Sequence, residues 1–188
     1  MRRMIVVLTL VMVLSGVVLA ATFATLSPRI ELNRERALQA SLAALFADVE
    51  EPSFEQLEID AIDIYRGSDQ AGELIGYAVR VTASGYNGPI NMLVGLAPGL
   101  DEIVGLQIVE NLETPGLGGR ITEREFRAQF DGLDPTEPIH SVRNIEPDPA
   151  ANEVQAISGA TISTDAVVAG INRRAEDAIA AIRAAEGR

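Results

Sequence analysis

The chain has no cysteine, no lysine and a single histidine among its 188 residues. Without cysteine there can be no disulfide, thiolate nucleophile, iron–sulfur ligation or lipid-bearing thiol. With His140 alone, no multi-histidine metal centre can form, and a Ser-His-Asp triad would have to use that one residue. His140 sits in Pro138-Ile139-His140-Ser141-Val142, between turn-rich segments, where a surface or locally hydrogen-bonded imidazole is expected. No catalytic residue and no metal ligand set is therefore assigned. If the chain carries electrons, an organic cofactor must do it, because no protein group present can.

All fifteen cations are arginine, against twenty-seven carboxylates. Nothing in the sequence explains the preference for arginine. Arg2 and Arg3 precede a long apolar run, so the part beyond that run carries a charge near −14. So acidic a surface argues against nucleic acid as a partner and against polybasic lipid recognition, while saying nothing of fold.

The apolar run extends uncharged from Met4 to Leu26. As a helix, these 23 residues would span about 34 Å, enough for a hydrocarbon core of about 30 Å. Val18-Leu19-Ala20 would suit cleavage of a signal peptide, but the run continues past it, which favours a retained anchor. Arg2 and Arg3 argue for an inside amino terminus; Arg29, Arg34 and Arg36 on the other flank nearly balance them.

Three segments are expected: an anchor over 1–26, a juxtamembrane helix over 27–50 and a domain over 51–188. From Arg34 to Glu50, Leu38, Leu42, Leu45, Phe46 and Val49 recur at helical spacing, the pattern of a core-packing helix. Phe54 to Arg66 alternates loosely, and 67–72 makes a turn. Glu73 to Ala83 then returns as a strand, with Tyr65 and Tyr77 as expected cross-strand neighbours. Further strands are expected over 91–96 and 102–110, a short helix over 123–130 capped by Thr122, and a strand over 154–157. The 133–151 stretch is turn-rich, and the chain closes with a helix over 166–185. Short strands joined by tight turns define an α+β domain with a mainly antiparallel sheet and flanking helices.

Three small-residue segments carry the chemistry. Ala156-Ile157-Ser158-Gly159-Ala160-Thr161-Ile162-Ser163-Thr164-Asp165 passes from an apolar run through a turn into the last helix, with Ser163 or Thr164 as its expected cap. A phosphate near Thr161 would meet unpaired backbone N–H groups and the positive end of the helix dipole. On spacing alone, the plain reading is a strand-turn-helix junction. Glu113-Thr114-Pro115-Gly116-Leu117-Gly118 is a compact loop able to approach a flat ring, with a hydroxyl, backbone donors and one apolar side chain; it reads equally as a structural loop. Gly85-Tyr86-Asn87-Gly88-Pro89-Ile90 reads as a wide turn.

Together, and in this order, the three segments resemble the FMN-binding domain family of Rnf-type electron transport complexes. Ser158-Gly159-Ala160-Thr161 resembles its flavinylation motif, Glu113 to Gly118 its E-T-P-G-L-G loop, and Gly85 to Ile90 its G-Y-x-G-P-I segment. The resemblance covers essentially the whole chain. It is first to the G-type subunit and second to the C-type subunit of sodium-pumping NADH:quinone reductases.

The resemblance implies FMN attached covalently to Thr161 by a flavin transferase using FAD. It places Ser158, Gly159, Ala160, Glu113, Thr114, Gly116, Leu117, Gly118 and Tyr86 around the cofactor. It also implies an electron carrier between ferredoxin and NAD, coupled to ion translocation, with no turnover alone and with other membrane subunits as partners. The chain would be a single-pass protein of the inner membrane, its domain on the periplasmic side. A stand-alone flavin carrier and a non-redox envelope binding domain also stay open. The chain departs from the family pattern at Gln155, where an Asp is usual, and at Gly119-Arg120, where an acidic or amide residue and Lys are usual; Arg120 keeps the charge.

Overall fold

The computed structural model describes residues 2–59 and 61–187. It divides into two units between Gln39 and Ala40. The described part of the first lies wholly within helix α1 (Arg2–Leu45), whose last turns belong to the second unit and which is the one helix among the described residues long and apolar enough to cross a membrane. Its 44 residues amount to about 66 Å, roughly twice a hydrocarbon core. The anchor and the juxtamembrane helix expected as separate segments are therefore one helix, and it ends at Leu45 instead of near Glu50. Pro28 lies inside it without ending it. A proline removes a single i−4 bond, and the Ser27 hydroxyl donates to the Phe23 carbonyl at 2.8 Å in the turn just before it.

In the second unit, five strands form an antiparallel meander: β1 (Ser53–Ile59), β2 (Ile62–Ser68), β3 (Leu74–Ser84), β4 (Pro89–Leu96) and β5 (Ile103–Glu110). The single strand expected over 54–66 is two. Ile59 pairs with Ile62 across a tight turn in which Ala61 takes φ 60°, a left-handed conformation that alanine does not advertise. Tyr65 and Tyr77 are not cross-strand partners. Tyr65 pairs with Ala78 and Tyr77 with Arg66, so the two rings lie on opposite faces.

Both faces of the sheet are covered, which is why Leu93 through Leu96 are buried without alternation. On one face lies helix α3 (Thr161–Glu186). It approaches so closely at Gly170 that any side chain there would strike Ala83 and Met92. The Tyr77 hydroxyl, on this face, bonds the Glu186 carboxylate at the far end of α3. On the other face the end of α1 contributes: the Leu45 side chain lies against Gly95 and Gly105, and the Phe46 ring meets Phe54 at 5.8 Å between centroids.

Between β5 and α3 the chain is irregular. A 3₁₀ turn over Gly118–Thr122 leads into α2 (Arg124–Arg127) and a second 3₁₀ turn over Ala128–Phe130. The expected helix over 123–130 is thus a single α-turn continued by 3₁₀ geometry, and Thr122 does not cap it, because its hydroxyl donates back to the Gly119 carbonyl at 2.9 Å. Within the turn-rich stretch, β6 (His140–Val142) pairs in parallel with β7 (Glu153–Gln155), which covers the first half of the strand expected over 154–157. The His140 side chain is exposed, as expected.

Candidate functional site

The three small-residue segments converge on the carboxylate of Glu113. This side chain is 7% exposed. One oxygen accepts the backbone N–H of Asn87 at 3.1 Å, and the other accepts the Ser163 hydroxyl at 2.7 Å. Asn87 belongs to the first segment, Glu113 opens the second and Ser163 lies in the third, so one buried carboxylate joins all of them. A charge buried in this way is tolerable only when it is hydrogen-bonded, and the donors are supplied by the very segments it joins. Room for it comes from Gly85 and Gly118, since a Cβ at either would collide with the Glu113 side chain. A second link, 2.9 Å from the Asn87 amide to the Thr114 hydroxyl, lies at the surface.

The Glu113–Gly118 loop is closed on itself. The Thr114 carbonyl accepts the N–H groups of Leu117 and Gly119 at 3.1 and 3.0 Å, and Gly116 takes φ 75° at the tip with open space where a Cβ would point. Leu117 is half exposed and its side chain lies beside Gly159, so this loop touches the next motif directly.

The Ser158–Thr161 turn is pinned at both ends. The Ile157 N–H donates to the Thr164 hydroxyl at 3.1 Å, the Ala160 N–H donates to the Ile157 carbonyl at 3.0 Å, and Gly159 takes φ 79° between them. Ser158 and Gly159 are left exposed at the tip, and Ala160 is buried. Helix α3 begins at Thr161, five residues before the expected start. The expected caps do not cap it: Ser163 is committed to Glu113 and Thr164 to Ile157, and both are buried. The capping position falls on Ala160, which has no side-chain oxygen to offer.

The N–H groups of Thr161, Ile162 and Ser163 thus precede the first helical hydrogen bond, from Thr164 N–H to the Ala160 carbonyl at 3.1 Å. Thr161 itself is half-buried, its hydroxyl set where the helix dipole favours negative charge.

Around the Glu113 network the residues picked out from the sequence fall in two groups. Glu113, Gly118 and Ala160 are buried and shape the site from behind. Thr161, Ser158, Gly159, Thr114, Gly116, Leu117 and Tyr86 remain at or near its surface, Tyr86 being 70% exposed. Sequence reasoning missed Asn87 as a donor and Ser163 as the partner of Glu113. The available signal was the pair of glycines, Gly85 and Gly118, that leave space for a side chain between them.

Beside the Ser158 turn lies an open cleft of about 590 Å³ whose wall includes Arg120, Glu123, Glu125, Glu146 and Gln155. Arg120 is paired with Glu123 at 3.2 Å. With its one cation so engaged and carboxylates around it, this cleft is a poor place for a phosphate. Gln155 is held through its backbone N–H by the Gln129 side chain at 2.6 Å, and its own side chain is exposed.

A free hydroxyl at an uncapped helix start, flanked by exposed small residues and an apolar loop, fits a group with a phosphate at one end and a flat ring at the other. The family of FMN-binding domains matches residues 85–176, which enclose all three segments and the Glu113 network. The fold is that of this class.

The G subunit of the ion-translocating oxidoreductase complex of Methanosarcina acetivorans is 30% identical over 172 residues, 88% of each chain. The G subunit of the proton-translocating ferredoxin:NAD(+) oxidoreductase complex of Clostridium ljungdahlii is 26% identical, over 90% of this chain and 86% of its own. The chain belongs to this family of G subunits. NqrC of Shewanella oneidensis superposes with a TM-score of 0.55 at 22% identity, over 59% of this chain and 54% of its own, a likeness of fold.

Proposed function

We propose that Thr161 carries FMN through a phosphoester and that the protein serves as the flavin subunit of an Rnf-type complex, moving electrons between ferredoxin and NAD in step with ion translocation. The observation that supports this best is the Thr161 hydroxyl at the first residue of a 26-residue helix with no side-chain cap, beside a turn and a loop drawn together by Glu113. Attachment joins the Thr161 oxygen to the phosphorus of the flavin phosphate and breaks the pyrophosphate bond of FAD. AMP leaves, and the hydroxyl proton passes to a base of the transferase.

Bound FMN supplies one- and two-electron redox chemistry at its ring. The chain's own residues bind and orient. The N–H groups at the start of α3 would hold the phosphate end, and Leu117, Tyr86 and the Gly116 tip would border the ring. Glu113 fixes the loop that presents them. A covalent tether suits a cofactor outside the cytoplasm, where a lost flavin is not replaced. The domain stands on the periplasmic side of the membrane and docks on neighbouring membrane subunits, which complete the electron path.

Intact-mass measurement of the full chain, co-expressed with a flavin transferase, tests the attachment. The expected result is a yellow protein heavier by one FMN less water, with Thr161→Val colourless and unshifted in mass but folded. A colourless wild-type protein of unmodified mass would overturn the redox assignment.

A further inference from the structure

Strand β6 runs along α3 toward its start. The backbone N–H and C=O of Ile139 bond the Asn172 side chain at 2.9 and 2.8 Å, and two residues on, the Ser141 hydroxyl donates to Asp165 at 2.5 Å. The next outward-reaching side chain in that direction is Arg143, whose guanidinium donates to the other Asp165 oxygen at 2.8 Å. Asp165 is four residues after Thr161, one turn along the same face of α3, with about 5–6 Å between such Cβ atoms. Asp165, one helical turn from Thr161, therefore holds a cation beside the first turns of α3.

As a structural ion pair this arrangement offers little. The two side chains are 59% and 42% exposed, and pairs in such settings contribute marginally to stability. As part of a phosphate site it answers an electrostatic need. A phosphodiester on Thr161 brings a negative charge within a turn of the Asp165 carboxylate, and that repulsion needs a cation between them. A guanidinium presents five donors in a planar fork and can serve two anions at once. Arg120, the cation in the cleft beside the turn, is already paired with Glu123.

We infer that Arg143 is a positioning residue for the flavin phosphate, the donors that Asp165 does not take reaching the phosphodiester on Thr161. The inference rests on the reading that Thr161 carries the flavin.

The test uses the full chain in detergent, co-expressed with the flavin transferase, as wild type, Arg143→Ala, Arg143→Lys and Asp165→Asn. Each is read by intact mass, by the ³¹P chemical shift of the phosphodiester and by flavin fluorescence anisotropy. Arg143→Ala is expected to keep the flavin mass while its ³¹P resonance moves toward that of the proteolysed flavinyl peptide and its anisotropy falls. Arg143→Lys should recover part of both changes. Asp165→Asn breaks the ion pair but leaves the guanidinium beside the phosphate, so it should not reproduce the alanine effect.

An unchanged ³¹P shift and anisotropy in Arg143→Ala would overturn the inference. So would an Asp165→Asn protein that mimics it, because Arg143 would then matter only through the ion pair. Should folded Arg143→Ala take up no flavin, recovery of loading by Arg143→Lys supports a cation at the phosphate, and no recovery overturns it. A wild-type chain without the flavin mass is a different outcome, the failure of the Thr161 assignment itself.

Discussion

Glu113 and Ser163 lie fifty residues apart in sequence and share a 2.7 Å hydrogen bond in the interior. That contact ties the loop after β5 to the start of α3, and through the Asn87 N–H it also holds the β3–β4 connection. Glu113→Ala should therefore cost about 2–4 kcal/mol, two charge-assisted hydrogen bonds partly offset by relief of a buried carboxylate. Ser163→Ala should cost about 1–3 kcal/mol. In a double-mutant cycle followed by urea unfolding, the two should couple by about 0.5–3 kcal/mol. Additive effects would mean that the loop and the helix start are held independently.

Thr161 and Thr164 carry the same side chain one turn apart, and the structure gives them opposite roles. Thr164 is fully buried, its hydroxyl satisfying the Ile157 N–H and donating to the Ala160 carbonyl at 3.3 Å. Thr164→Val keeps the shape and strands that N–H, so it should lower stability by about 1–3 kcal/mol. Flavin loading at Thr161, read by mass, should persist. A Thr164→Val protein of normal stability that has lost its flavin would exchange the roles of the two threonines.

What was legible in the sequence follows from how each feature is encoded. Hydrophobic runs and turn residues report local geometry, so the antiparallel order of β2 to β5 and the position of the three motifs could be read directly. The split of 54–66 into β1 and β2 could not, because Ala61 adopts a left-handed conformation with no glycine to mark it. The start of α3 lies earlier than the sequence predicts for a related reason. Serine and threonine are good caps, but here tertiary partners, Glu113 and the Ile157 N–H, claim both hydroxyls, and the helix extends past them to Thr161. The Glu113 network was illegible because its members lie 26 and 50 residues from Glu113, and no local pattern joins them. Of the β6–β7 pair, β7 answers to the strand expected over 154–157, while β6, three residues long and preceded by prolines, was hidden.

Gly116 sits at φ 75° with nothing near the place of a Cβ, so a substitution there acts through the backbone and not through a clash. Gly116→Val forces a β-branched residue into a region it avoids, at about 1–2 kcal/mol or a displaced loop tip. With the loop bordering the ring, the flavin absorbance bands should shift while the mass still shows one FMN, since attachment depends on Thr161. An unchanged spectrum and midpoint potential would make the loop structural only.

The side of the membrane on which the domain stands can be tested because the chain has no cysteine to confuse the labelling. One span puts everything after α1 on a single side. Arg2 and Arg3 argue for an inside amino terminus, but Arg29, Arg34 and Arg36 on the other flank nearly balance them, so orientation has to be measured. Ala71 is exposed in the β2–β3 turn, where its N–H donates to the Asp69 carboxylate at 2.9 Å, a bond that Ala71→Cys leaves in place. In intact cells stripped of any outer barrier, an impermeant maleimide should label this cysteine as fully as it does after lysis. That outcome fits a periplasmic domain, and it has a mechanistic consequence. Ferredoxin and NAD are cytoplasmic, and this chain has no thiol or second histidine with which to ligate another redox centre, so electrons would have to reach a flavin on Thr161 through cofactors of other subunits. Labelling that appears only after lysis would place the flavin in the cytoplasm, beside ferredoxin and NAD, and the need for a transmembrane electron path to this subunit would disappear.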